Sequence, residues 1–266
     1  MSQLRIARAD TAAVANYLES YFYGHRFSSY IQRSAVLLAG SVGWGIKDST
    51  TPGADWDIHI IMDDADYSDW VSAIGAQFVI DDSARVPKVF GQVHSTSWLR
   101  DRLCSNDRKW WPLYLWISEN GTWVRGSGAV DAQITAARNR FTSDRQELIR
   151  DHWVTFCVRK LDMKTSSANC QMLSERIYLS ESITAALQAY SLVVSGPYPY
   201  IKWLPYWVTS LDGGAEIVSL AELATQTVDD SRKPLLRTLE GKLAGAITSR
   251  FGEQPWTGEW WKFLSN

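Results

Sequence analysis

Two periodicities of apolar and polar positions alternate in the first half of the chain. Residues 11–23 carry apolar side chains near helical spacing, and Thr11 can cap the helix that they predict. Ala35–Ala39 is a short apolar run that ends at a glycine, which is typical of a buried strand. The pattern predicts a second strand over Asp57–Met62 and a helix near 66–76.

Two further apolar runs predict strands in this half, over Val89–Ser95 and Leu113–Ser118. The residues 119–121, Glu-Asn-Gly, form a strong turn signal directly after the second run. Strands and helices therefore alternate as far as about residue 128, which indicates an α/β domain with a mixed sheet.

The pattern changes after Thr142, because apolar residues then recur at helical spacing to the end of the chain. The predicted helices run over 142–164, Cys170–Val194, Ser219–Thr225 and Ser231–Phe251. We therefore predict an α+β fold in two domains. Residues 1–140 form the mixed-sheet α/β domain, residues 141–266 form an all-helical bundle, and the boundary lies near 130–143.

Composition narrows the class of protein. The chain has 266 residues, 45% of them hydrophobic, and a formal net charge of −2, which suits a folded globular protein and disfavours a nucleic-acid partner or an anionic membrane surface. No apolar run approaches the roughly 20 residues of a membrane span, and residues 1–10 lack the apolar core of a signal peptide. We therefore expect a cytoplasmic protein. Its three cysteines are far apart with no CxxC motif, which disfavours a disulfide framework or a structural zinc site.

The residues with the clearest chemistry follow the first two strands. Gly40 and Ser41 end the first strand, and after a loop Asp55 and Asp57 begin the second. Alternate residues of a strand point to the same face, so the two carboxylates lie side by side and repel each other unless a cation is present. Mg²⁺ is commonly held by one or two carboxylates together with substrate phosphates, and a glycine lets the backbone approach a phosphate closely. Together these residues predict a metal–triphosphate site.

This segment resembles the signature of the nucleotidyltransferase superfamily of the DNA polymerase β type. In that family the Gly-Ser strand end binds the triphosphate and the Asp-x-Asp pair binds Mg²⁺. The resemblance therefore implies that Gly40 and Ser41 bind the triphosphate and that Asp55 and Asp57 bind Mg²⁺. The two-domain layout also resembles the small antibiotic-modifying members, such as the aminoglycoside and lincosamide nucleotidyltransferases. The segment Tyr198–Trp203 is similar to one in the helical domain of some relatives, and that similarity implies that Lys202 faces the nucleotide phosphates.

The sequence departs from this family at the third carboxylate, which many active members carry on a later strand. The matching strand here, Val89–Ser95, contains no Asp or Glu. Gln92 is the best equivalent of that position, and His94 lies on the same face and can accept a proton near neutral pH. Glu181 in the helical domain is an alternative base. Glu175 and Arg176, one to two turns earlier, are a second possibility or else part of a solvated helix face.

The resemblance implies the transfer of a nucleoside monophosphate from an NTP, expected to be ATP, to a hydroxyl of a small molecule. Mg²⁺ is the expected cofactor, and the small-molecule acceptor is expected between the two domains. We predict that some of the 14 Trp and 11 Tyr residues line the acceptor site, and the candidates are Trp44, Trp56, Tyr198 and Trp203.

Two other functions stay open at this point. One is a protein-modifying nucleotidyltransferase of the toxin–antitoxin type. The other is a catalytically silent member that binds nucleotide only, which the missing third carboxylate favours.

Overall fold

The computed structural model divides into two compact units, residues 1–140 and 141–266. Helices and strands account for most of the chain in both units. The residues that the structure describes are 11–75, 79–105, 107, 110–126, 128–228 and 231–264.

Unit 1 is built on a mixed sheet. In its described residues the sheet has five strands in the order β3-β4-β2-β1-β5. The pair β2–β4 is parallel, and the other three pairs are antiparallel. The strands are β1 (Ala35–Ala39), β2 (Asp55–Met62), β3 (Val79–Asp82), β4 (Lys88–Ser95) and β5 (Thr122–Arg125).

Helices cover both faces of this sheet. Those of unit 1 are α1 (Thr11–Tyr21), α2 (Ser28–Arg33), α3 (Gly40–Gly43), α4 (Asp64–Ile74), α5 (Thr96–Leu103) and α6 (Trp111–Asn120), and α7 (Gly128–Ala168) begins in unit 1 and continues in unit 2.

The main core of unit 1 lies on one face of the sheet. Ile58 and Ile60 of β2 are fully buried there, together with Val36 and Leu38 of β1 and Trp70 of α4. Burying a side chain of this size stabilises the fold by about 1.5–3 kcal/mol. The alternation that sends Ile58 and Ile60 into this core sends the intervening residues of β2 to the opposite face, where the polar side chains are.

One predicted strand is wrong: Leu113–Ser118 lies within helix α6. Every residue from Trp111 to Ser118 except Tyr114 is buried, so this short helix is apolar on nearly all sides and shows no helical period. Pro112 lies in the first turn, where its missing N–H costs no hydrogen bond, and Gly121 follows the last residue. The predicted turn at 119–121 is therefore the end of this helix.

The described residues of unit 2 form helices and the loops that join them, with no strand among them. After α7 it contains α8 (Met172–Val194), α9 (Leu204–Thr209), α10 (Gly214–Gln226), α11 (Arg232–Phe251), α12 (Pro255–Gly258) and a 3₁₀ turn at Trp260–Phe263. This confirms the predicted α+β fold class. Helix α7 begins at residue 128 and not near 142. Thr142, Ser143 and Asp144, which were expected to cap the helix, lie inside it, and no proline or glycine interrupts it after Gly128.

Arginines satisfy the carbonyl groups at two helix ends of unit 2. Arg145 donates from Nε to the Leu192 carbonyl at 2.7 Å and from Nη2 to the Val193 carbonyl at 3.0 Å, at the end of α8. Arg232 donates to the Ala224 carbonyl at 3.0 Å at the end of α10 and pairs with Glu175. Glu175, the second alternative for the proton acceptor, is thus one side of a largely buried ion pair. In the described part of the chain, no helix has the length and apolar character that crossing a membrane requires.

Candidate active site

Gly40 places the end of β1 directly against Asp57. Ala39 is paired with Asp57 across the two strands, and Gly40 then turns the chain at a φ of +69°. An ideal Cβ at Gly40 would lie 2.0 Å from Asp57 Oδ2, so only glycine fits both the backbone angle and the space. The backbone at the buried end of this strand therefore lies directly against a carboxylate.

The chain after Gly40 folds back on itself in a tight turn. The N–H groups of Ile46 and Lys47 both donate to the Ser41 carbonyl, at 2.8 and 3.0 Å. Gly43 is equally confined, since a Cβ there would lie 2.1 Å from the Leu38 carbonyl oxygen. The glycines of this segment are thus required by close approaches of the backbone, and Ser41 is held in a buried position between them.

Asp55 and Asp57 share the polar face of the sheet. Both are partly exposed. Trp56, which lies between them, and Ile58, which follows Asp57, are buried in the core on the other face. Two residues of strand separate the two Cα atoms by about 7 Å. This is the side-by-side arrangement of carboxylates that the sequence predicted.

The parallel pairing of β2 with β4 decides which side chains stand beside the two carboxylates. Lys88 is the register partner of Asp55, and Phe90 is the partner of Asp57. Gln92, the predicted equivalent of the third carboxylate, is instead the partner of His59. Lys88 and Phe90 are both exposed on this face, and the sequence analysis missed both. Their strand was predicted, but its register against β2 is not encoded in any local motif.

His94 lies further along β4. It is four residues beyond Phe90, or about 13 Å along the strand, and it is stacked on Trp98 with ring centroids 3.7 Å apart. Its Nε2 is 3.2 Å from Nδ1 of His59, so one imidazole donates a hydrogen bond to the other.

Both imidazoles are neutral at pH 7. Burial lowers the pKa of His59 to about 4. Burial is the main reason that the pKa of His94 is lowered to about 3, and the nearby His59 and Arg102 lower it further. A histidine with so low a pKa is a weak base, and the structure does not bring His94 beside the Asp57 carboxylate.

The two predicted site residues of unit 2 have local partners. Glu181 on α8 forms an ion pair with Arg159 on α7, with Oε2 2.7 Å from Nε, and its side chain is about half exposed. Lys202 is exposed, and its Nζ lies 5.5 Å from the centroid of the Trp203 ring. Their assignment as proton acceptor and phosphate-binding residue stays a prediction.

Three of the four aromatic residues predicted to line an acceptor pocket are core residues. Trp44 is buried edge-on against Trp116, with ring centroids 4.7 Å apart. Trp56 is on the opposite face of β2 from the two carboxylates, and Tyr198 is buried with its hydroxyl 3.0 Å from His152 Nε2. All three side chains are buried, as large aromatic residues usually are, and their place beside an acceptor stays a prediction.

Two carboxylates on one sheet face suit a divalent ion that brings its own further ligands. In the described part of the chain, no group of three His, Cys, Asp or Glu side chains could hold a metal ion by itself. Mg²⁺ is consistent with such an incomplete set, because it keeps several waters and takes phosphate oxygens as ligands alongside one or two carboxylates. Asp55 and Asp57 therefore fit Mg²⁺ together with a triphosphate better than they fit a metal held by protein alone.

A scan with models of protein families and a search of curated proteins found no significant match to the sequence. Among solved structures, the fold is similar to that of a nucleotidyltransferase-like protein from Exiguobacterium sibiricum 255-15. The two chains are 12% identical with a TM-score of 0.45, and the match covers 87% of this chain and 76% of the other. A similarity of this size assigns no activity and no role to any residue.

Proposed function

We propose that the chain is a Mg²⁺-dependent nucleotidyltransferase that moves a nucleoside monophosphate from an NTP, in the first instance ATP, to a hydroxyl group of a small molecule. The observation that carries this proposal is the contact of Gly40 with Asp57. It sets the Gly-Ser end of β1 beside two carboxylates on one sheet face, and we expect a metal–triphosphate complex to use both parts.

Each residue has a defined part in this proposal. Asp55 and Asp57 hold the metal, Gly40 leaves room for the Asp57 carboxylate, and the Ser41 hydroxyl donates to a phosphate oxygen. Mg²⁺ would neutralise the charge that develops on the phosphates during transfer. The tight turn after Gly40 keeps Ser41 and the strand end in place without the ligand, which reduces the ordering cost of binding.

The test is pyrophosphate release from Mg–ATP with a panel of hydroxyl-bearing small molecules, together with the thermal stabilisation of the chain by Mg–ATP alone. We expect Asp57→Asn to remove both. Asp101→Asn, a substitution of an exposed aspartate on α5, is the matched control and should change neither. If Asp57→Asn is stabilised by Mg–ATP as the parent is, the metal assignment is wrong.

A second candidate is a protein that binds Mg–nucleotide without transferring it. Phe90 favours this candidate, because an apolar ring stands in the register position beside Asp57 and β4 brings no carboxylate to it. Stabilisation of the parent by Mg–ATP, its loss in Asp57→Asn, and no pyrophosphate release with any acceptor would support this second function over the first.

A further inference from the structure

Lys88 is the cationic residue that the sheet itself brings to the two carboxylates. It begins β4, it is the register partner of Asp55 in the parallel pair, and it lies on the same face as Asp55 and Asp57. Neighbouring strands are about 4.8 Å apart, so the long lysine side chain can reach the space above both carboxylates. The next residue, Val89, is fully buried on the other face, which fixes the direction of Lys88.

Among the residues that the structure describes, the Lys88 ammonium group has no partner of its own. It makes no hydrogen bond and no ion pair with any residue in the ranges that the structure describes, and its side chain is exposed. Lys47, the lysine of the loop before β2, differs in this respect, since its Nζ donates to the Gly53 carbonyl at 3.2 Å. Asp55 likewise makes no ion pair with a described residue.

The charges on this face are not balanced once a nucleotide binds. Asp55 and Asp57 carry two negative charges, which one Mg²⁺ cancels. The triphosphate of ATP then adds several negative charges of its own. A lysine is a compact cation with three donors and commonly binds phosphate oxygens.

We propose that Lys88 binds a phosphate oxygen of the Mg–nucleotide complex and thereby selects for the triphosphate. This inference rests on the proposed function, because it concerns the same site. It predicts opposite effects on two ligands. Lys88 attracts the phosphates, but it repels a bare divalent ion that approaches Asp55 and Asp57.

The experiment measures the Kd of Mg–ATP, of Mg–ADP, of AMP and of Mg²⁺ alone for the full chain and three variants. Lys88→Gln should weaken Mg–ATP roughly tenfold, the usual scale of one hydrogen bond to a charged group. The loss should be smaller for Mg–ADP and smallest for AMP, and Mg²⁺ alone should bind more tightly than to the parent. Lys88→Arg keeps the charge and should recover most of the affinity for Mg–ATP. Lys164→Gln, at an exposed lysine of α7, is the matched control and should leave all four constants unchanged.

The results that overturn the inference are distinct from those that overturn the proposed function. If Lys88→Gln binds Mg–ATP as the parent does while Asp57→Asn does not, the site stands and Lys88 has no role in it. An equal loss for ATP and AMP would also exclude phosphate selection. If the parent itself does not bind Mg–ATP, the proposed function fails, and the role of Lys88 fails with it.

Discussion

The Asp57 carboxylate fills the space that a side chain on Gly40 would need, since a Cβ on Gly40 would lie 2.0 Å from Asp57 Oδ2. The two residues are 17 positions apart in the sequence, and they meet because Ala39 and Asp57 are paired across β1 and β2. The strand end and the carboxylate therefore form a single unit, and a change in one must displace the other.

The first prediction follows from this contact. Gly40→Ala should lower the free energy of unfolding by about 1–2 kcal/mol because of its positive φ, and it should also abolish stabilisation by Mg–ATP because the new methyl group displaces Asp57. Gly24→Ala is the matched control, since Gly24 has a φ of +71° and its Cβ would meet nothing within 4 Å. Thermal unfolding with and without Mg–ATP measures both effects. An equal response of the two variants to Mg–ATP would contradict a role for the Gly40 contact in the site.

The residues of this part of the site could be predicted because each has a local signal, although the contact of Gly40 with Asp57 depends on the pairing of β1 with β2. Gly40, Ser41, Asp55 and Asp57 stand at the ends of two short apolar runs, and alternation along a strand places both carboxylates on one face. The neighbours of that pair could not be predicted. They depend on the register of β2 against β4, which is a tertiary property that sets Phe90, and not Gln92, beside Asp57.

The remaining differences between the predicted and the observed fold have three separate causes. Helix α6 is apolar almost all round, so the run Leu113–Ser118 has the appearance of a buried strand. The start of α7 was predicted too late. Thr142 is a residue type that often caps helices, but here it lies inside α7, which continues through it from Gly128. Strands β3 and β5 have four residues each, too few to show a period.

The second prediction concerns the charge of Asp55. Asp55→Asn removes repulsion from Asp57 and attraction from Lys88, and both are screened at this partly exposed site, so stability without metal should stay close to that of the parent. With saturating Mg–ATP the parent should gain about 2.7 kcal/mol at a ligand concentration of 100 Kd, and the variant should gain little. Chemical denaturation with and without Mg–ATP gives the two differences. A large loss of stability without metal would assign Asp55 a structural role instead.

The third prediction concerns the pH dependence of stability. His94 has a pKa of about 3 in the folded state, whereas an exposed histidine titrates near 6.5. Between these values the unfolded chain binds a proton at this position and the folded chain does not, so His94 lowers stability as the pH falls below about 6.5. The loss is complete only near pH 3.

His94→Gln should make the free energy of unfolding less dependent on pH in that range. Urea titrations of the parent and the variant at several pH values between 7 and 4 measure the difference. At pH 7 the variant should be the less stable of the two, because it loses the stacking on Trp98 and the hydrogen bond with His59. Parallel curves for the two proteins would show that His94 is not held in its neutral form by burial.

The last prediction concerns the proton acceptor of the proposed reaction. Glu181 and His94 are the two candidates, and their surroundings differ. The pKa of about 3 makes His94 a poor match for a base that acts near neutral pH, and His94 is about 13 Å along β4 from Phe90, the register partner of Asp57. Glu181 is partly exposed on α8, where its carboxylate forms an ion pair with Arg159. Glu181→Gln should therefore lower kcat by about 10²–10⁴ and leave the Kd of Mg–ATP unchanged, whereas His94→Gln should cost less.

Glu216→Gln is the matched control, because Glu216 is also a partly exposed glutamate of unit 2 in an ion pair, with Lys242. A large loss of kcat in His94→Gln alone would reverse the assignment. If neither variant changes kcat, positioning and the metal account for the rate, since removing an active base cannot leave turnover unaffected.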